Sequence, residues 1–365
     1  MEIRGPIDAE THAERGLLAE GPGTLELPET TVYPGWVNAH DHLDFNLFPG
    51  LRTRRYGDWH EWGVDVHTVF DEVVQEVLAV PWETRVALSE LKCLLQGITT
   101  VVHHGPERLA DTPELTIWKD FRYLHSTQGW RWKRHTWRWW PRVPLMVHVN
   151  EGTTARVRGE LAQLRRWNVR RVPLLGIHGV SLTPRQARRL QALIWCPGSN
   201  EFLYGQGPSR EVLAAGQPVL LGSDSTISGP WSWYDHLRAA LAQGPWEAPE
   251  LLRRVLHTPA QVLAGLEDSG TLASGDWVVL SGTAPEPGTH YAQAHAADVL
   301  LVSKAGRVVL FDERVRPQLP PNCTAGRVAV ASGGAIKWVP ERFAQVLRAV
   351  EPLRERVGHL PGLEK

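Results

Sequence analysis

The chain is 365 residues long, with 39 basic and 40 acidic side chains and a formal net charge of −1. That length suits one large α/β core with a small second one, and the balanced charge argues against a nucleic-acid or membrane-surface binder. Its three cysteines, Cys93, Cys196 and Cys323, are widely spaced; this argues against a disulfide framework or thiolate zinc and leaves His, Asp and Glu as candidate ligands.

The N-terminal run MEIRGPIDAETHAERG carries charges where a secretory signal would be apolar. No apolar run reaches membrane-spanning length either, so a cytoplasmic protein with no membrane partner is expected. Weak β character over 1–33 gives way to short apolar runs at 33–39, 97–102, 144–149, 172–178, 192–197 and 218–224. Several are almost continuously apolar, as in parallel strands buried on both faces. Helical patterns at 82–96, 154–167, 184–193 and 209–215 alternate with them, which predicts a (β/α)8 TIM-type barrel over 34–265. Two further strands are needed between His104 and His148, and 115–118 and 121–125 are the candidates, with little room for helices beside them. From 266 to 365 short β runs return at 270–282, 297–315 and 326–333, with a hairpin through Lys304-Ala305-Gly306. A small β-sandwich built from both chain ends is expected, closed by an amphipathic helix over 340–358 that is interrupted or kinked at Pro352.

Polar outliers sit at the ends of the apolar runs, where barrel enzymes hold their reactive groups. They are His40 and His42, His148 followed by Glu151, His178, and Asp224. Strand alternation puts residues i and i+2 on one face, so His40 and His42 can share one ion while Asp41 faces away. One HxH is weak evidence, but four strands ending in ligand or acid–base residues form a pattern. Neutral imidazoles with a carboxylate suit one divalent metal ion, zinc ahead of iron. Such an ion lowers the pKa of a bound water to about 7. The water then needs a proton acceptor, and Glu151, three residues past His148, is placed to serve and to return the proton to a leaving nitrogen.

The stretches YPGWVNAHDHL, GITTVV, VHVNEG, GIHGVSL, WCPGSNEFL and VLLGSDS, in this order, resemble the metal-dependent amidohydrolase superfamily, nearest its cytosine deaminase, guanine deaminase and triazine hydrolase branch. The resemblance covers residues 30 to 280, and HTPAQVLAGLEDSGTLASGDWVVL is similar to the segment that returns such chains to their β-sandwich. It implies His40, His42, His148 and Asp224 as ligands of one divalent metal. Glu151 would be the proton shuttle, and His178 would polarise the substrate or orient the attacking water. Asp224 would also take a hydrogen bond from that water, and Ser199 and Asn200 would shape the pocket. The implied activity is hydrolysis of a non-peptide C–N bond in a small nitrogen-containing substrate, by deamination of an aminated heterocycle or opening of a cyclic amide. The alternative is a non-catalytic amidohydrolase-fold protein kept for ligand binding or scaffolding, against which the complete ligand and shuttle set argues. The resemblance leaves a homo-oligomer open.

The sequence departs from that pattern in a short N-terminal segment, a compressed 105–147 region, and no lysine at a fourth strand end, which argues against a carbamylated-lysine two-metal site. A further departure is the 118–142 stretch, with six Trp among seven Lys and Arg. Interleaved aromatics and cations could line a nucleic-acid groove, but a loop over the barrel mouth whose tryptophans pack on the core or cover the pocket is the favoured reading. His103 and His104 end the second strand, and alternation lets only one of them face inward. His125 and Ser126 are pocket candidates, while His60, His67, His236 and His257 read as ordinary surface or helix histidines.

Overall fold

Five short strands open the chain: β1 (Glu2–Arg4), β2 (Ile7–Asp8), β3 (Leu17–Leu18), β4 (Thr24–Glu26) and β5 (Thr30–Pro34). The structure, a computed structural model, describes residues 1–128, 132–136, 143–269 and 271–357. Eight strands with near-continuous apolar sequence follow and lie in two parallel sheets. β6 (Trp36–Asp41), β7 (Ile98–His103) and β8 (Thr116–Trp118) form the first. β9 (Arg122–Leu124), β10 (Leu145–Val149), β11 (Leu174–His178), β12 (Ala192–Trp195) and β13 (Val219–Leu221) form the second, in chain order. Every residue of β6, β7, β10, β11, β12 and β13 is buried, as expected where helices cover one face and a core fills the other.

The sheets meet at the β13–β6 edge. There Asp41 and Asp224 form a parallel bridge. The amides of Ser223 and Asp224 both donate to the His40 carbonyl at 3.0 Å, and the His42 amide donates to the Asp224 carbonyl at 2.7 Å. At the other edge no ladder joins β8 to β9 among the described residues. Both expected strands are present, but only residues 119–121 separate them. Side-by-side parallel strands need a crossover of about a dozen residues or more, which this three-residue link cannot supply. Among the described residues, the compressed 105–147 region therefore supplies the expected strands without a ladder that closes the sheets.

The terminal strands gather into two further sheets. β14 (Trp277–Ser281), β15 (Val299–Lys304), β16 (Arg307–Asp312), β17 (Arg327–Ser332) and β18 (Ala335–Pro340) pair with β5 and β2 in the order β17–β18–β16–β15–β14–β5–β2, and β3–β1–β4 forms the other. Ile3, Leu25, Val32, Trp277, Leu301 and Phe311 from both sheets share one apolar cluster. The expected hairpin turns at Ala305–Gly306, both with positive φ (50° and 78°), the signature of the turn that matches strand twist. The helix Phe343–Val357 continues through Pro352 and packs on the helix Trp82–Leu95. Trp118 and Trp132 of the aromatic-basic stretch are buried in apolar clusters, as the core-packing reading expects; Trp130, Trp137, Trp139 and Trp140 lie outside the described residues.

Candidate active site

His40 ends the apolar part of β6 and has no exposed surface. Its ring lies 4.9 Å from that of His42 and 5.2 Å from that of His148, centroid to centroid, and neither of its ring nitrogens has a hydrogen-bond partner. An imidazole buried with both nitrogens unsatisfied loses hydration without compensation, unless a ligand takes the lone pair. Asp41 points the opposite way, as alternation requires. It accepts from Asn46 at 2.7 Å, Ser223 at 2.8 Å and Asn38 at 3.0 Å, and pairs with the buried Lys92 at 3.2 Å.

His148, inside β10, donates from Nδ1 to the His125 carbonyl at 2.7 Å. That bond places the proton on Nδ1 and leaves the Nε2 lone pair for an ion. Asp224 follows β13 with φ of 67°. Its Oδ2 accepts from Ser199 at 2.7 Å and also from Ser228, while its Oδ1 faces His40 Nε2 at 3.4 Å and His42 Nε2 at 3.6 Å. Two hydroxyls on one carboxylate oxygen thus aim the other at the histidines.

His178, the last residue of β11, has φ of 64°. The Asn200 side-chain amide faces its Nδ1 at 2.9 Å. An amide nitrogen only donates, so Nδ1 is the acceptor and the neutral ring carries its proton on Nε2. That Nε2 lies 3.6 Å from Glu151 Oε1, which also accepts the Tyr204 hydroxyl at 2.7 Å. Asn150, next to Glu151, is a third residue with positive φ (52°) at a strand end of this cluster. Such conformations cost about 1–3 kcal/mol each and persist where the surroundings impose them.

Electrostatics follow from burial. The His42, His104 and His148 imidazoles are held well below the usual histidine range, chiefly by desolvation and then by the neighbouring imidazoles. Desolvation likewise pushes His178 down to about 4. Burial opposes the Asp224 charge, but the surrounding His40, His178 and His42 outweigh it and hold that carboxyl well below its ordinary value. Burial, then the Asp224 charge, raises the Glu151 carboxyl well above its own. Burial thus favours the uncharged imidazole at His42, His104, His148 and His178 beside the Asp224 carboxylate, a donor set that fits a divalent ion of zinc type.

Ligand-capable atoms of His40, His148, His178 and Asp224 all lie within 4.8 Å of one another, and so do those of His40, His42, His104 and His148. The structure thus brings together all six residues that the sequence singled out. It turns His104, not His103, into the cluster: His103 Nδ1 accepts the Leu43 amide at 3.2 Å on the other side. Ser199 and Asn200 back Asp224 and His178. Tyr204 escaped sequence reasoning although it lies one helical turn after Asn200, on the helix Pro197–Tyr204. Lys92 also escaped it; its Nζ reaches Asp41 and Asn46, outside both ligand groups. His236, read as an ordinary helix histidine, is wholly buried in the helix Trp233–Gln243, its Nε2 3.1 Å from the Pro230 carbonyl.

The fold is similar to those of several solved deaminases and triazine hydrolases. A zinc-bound adenosine deaminase from Xanthomonas campestris has a TM-score of 0.64 at 16% identity, over 97% of this chain and 98% of its own. The guanine deaminase of E. coli gives 0.61 at 15%, over 84% and 99%, and the zinc-bound atrazine chlorohydrolase of Arthrobacter aurescens 0.59 at 18%, over 84% and 94%. No known family profile and no curated protein sequence matches the chain. Among the described residues no helix is long and apolar enough to cross a membrane.

Proposed function

We propose that this protein is a metal-dependent amidohydrolase that cleaves a non-peptide C–N bond in a small nitrogen-containing molecule. The observation that carries the reading is the burial of His40 with both ring nitrogens unsatisfied among the imidazoles of His42, His104, His148 and His178 and the carboxyl group of Asp224. His40, His42, His148 and Asp224 would hold a single divalent ion, zinc ahead of iron. When bound, the ion supplies Lewis acidity and makes water ionisable near neutral pH. Asp224 Oδ1, aimed into the cluster by Ser199 and Ser228 on Oδ2, would orient the attacking water. Glu151, anchored through Oε1 by Tyr204, takes the water proton and delivers it to the leaving nitrogen. His178, with its proton on Nε2, donates to the substrate atom that gains negative charge. Eight parallel strands support reading 34–265 as the barrel, and the shared core of the terminal sheets supports a reduced sandwich from 1–33 and 266–365.

The test is a panel of aminated heterocycles, cyclic amides and N-acyl compounds, scored by ammonia release or ring opening. Glu151→Gln is expected to keep the metal and lower turnover of any substrate about 10²–10⁴-fold. Undiminished turnover in that variant would remove Glu151 from the mechanism.

A further inference from the structure

His104 completes the strand-end cluster in a way the four proposed ligands do not require. It follows β7 directly, and its amide donates at 2.9 Å to the carbonyl of Asp41, the residue between His40 and His42. Its neighbour His103 folds over Gly105, where any Cβ would come within 2.3 Å of His103 Nε2. The triplet His103-His104-Gly105 thus sends the first imidazole out and the second in. The His104 ring lies 4.7 Å from His148, 5.1 Å from His40 and 5.6 Å from His42.

Its hydrogen bonding is incomplete. Nε2 reaches the Met146 carbonyl at 3.4 Å, while the buried Nδ1 has no partner. A proton on Nε2 leaves the Nδ1 lone pair unsatisfied, and a buried acceptor in that state costs about 1–3 kcal/mol. The rings of Tyr123 and Phe121 pack against the His104 ring, and among the described residues no hydroxyl or amide takes that pair.

We propose that His104 is a fifth protein ligand of the ion, supplied by the second barrel strand. This rests on the metal-centre reading above and deepens it. A neutral imidazole adds a donor without changing the net charge of ion plus Asp224, and four imidazoles in place of three move the site toward nitrogen-preferring first-row metals.

Zinc affinity measured by competition with a chromophoric chelator tests this in the full-length wild type, His104→Ala, the bulkier His104→Gln and His40→Ala. Visible spectra of the cobalt-loaded forms are the second readout. Both His104 variants should bind zinc at least tenfold more weakly, and their cobalt bands should intensify as the coordination number falls. Wild-type affinity and an unchanged cobalt spectrum in both variants, with His40→Ala zinc-deficient, would overturn the role of His104 alone. Wild-type affinity in His40→Ala would overturn the metal centre itself, and His104 with it.

Discussion

Proton placement in this cluster is set by single hydrogen bonds: the His125 carbonyl fixes His148, and the Asn200 amide fixes His178. Replacing Asn200 by Asp puts an acceptor opposite Nδ1 and moves the His178 proton off Nε2. Turnover is expected to fall about 10–100-fold with zinc content unchanged; metal analysis beside kcat checks it. Glu160 offers a pH signature away from the ligands. Burial raises its carboxyl to about 7, against the opposing hydrogen bond from the Asn150 amide. A pKa above its unfolded value means the folded state binds the extra proton. Glu160 therefore stabilises fully below pH ~4.5 and loses that contribution as pH rises through about 7. Unfolding free energies of wild type and Glu160→Gln should diverge by up to about 3 kcal/mol over this window; parallel pH curves would contradict it. At this scale the sequence exposed His40, His42, His148, His178 and Asp224, because strand-end position and alternation are local properties. Which of His103 and His104 turns inward depends on packing beyond the strand, and Tyr204 meets Glu151 across 53 residues of chain, so neither was legible.

The β6–β13 junction is the element on which ligand geometry depends. Gly222 passes so close to β6 that a Cβ would lie 2.7 Å from His40 Cβ and 2.9 Å from the His40 carbonyl. Gly222→Ala should displace His40 and reduce zinc content. Gly63→Ala is the matched control, since nothing lies within 4 Å of a Cβ there and helix Trp59–Thr68 should gain about 0.5–1 kcal/mol. Zinc analysis and denaturation midpoints of both variants decide between local and general effects. Behind the same junction, Lys92 from the helix Trp82–Leu95 is buried against Asp41 and Asn46. Lys92→Met strands the Asp41 charge and should cost about 3–5 kcal/mol in urea denaturation. The alternation of strands and helices was readable from hydrophobic runs, even for the three-residue β8 and β9. Their failure to pair was not, because it follows from a link too short for a return crossover.

At the scale of the whole molecule, the two chain ends share one sheet and the C-terminal helix packs on the helix Trp82–Leu95 that leads into β7. Arg342, just before that helix, reaches Glu90 and Glu114 at 2.7 Å each, from side chains only 10% and 8% exposed. Arg342→Ala would leave two buried carboxylates facing each other and should lower stability by about 3 kcal/mol, recovered in a Glu90→Gln/Glu114→Gln background. Both-ended construction was legible as β runs flanking the α/β pattern; this clasp joins residues more than 200 apart and had no local signature. What unites these levels is the proposed metal centre, a cluster of His and Asp side chains that could hold a divalent ion. The measurement that bears on it most directly is elemental analysis of the purified protein beside His40→Ala. About one equivalent of zinc or iron per chain, lost in the variant, is the expected result; metal-free wild type, or equal metal in both, would contradict it.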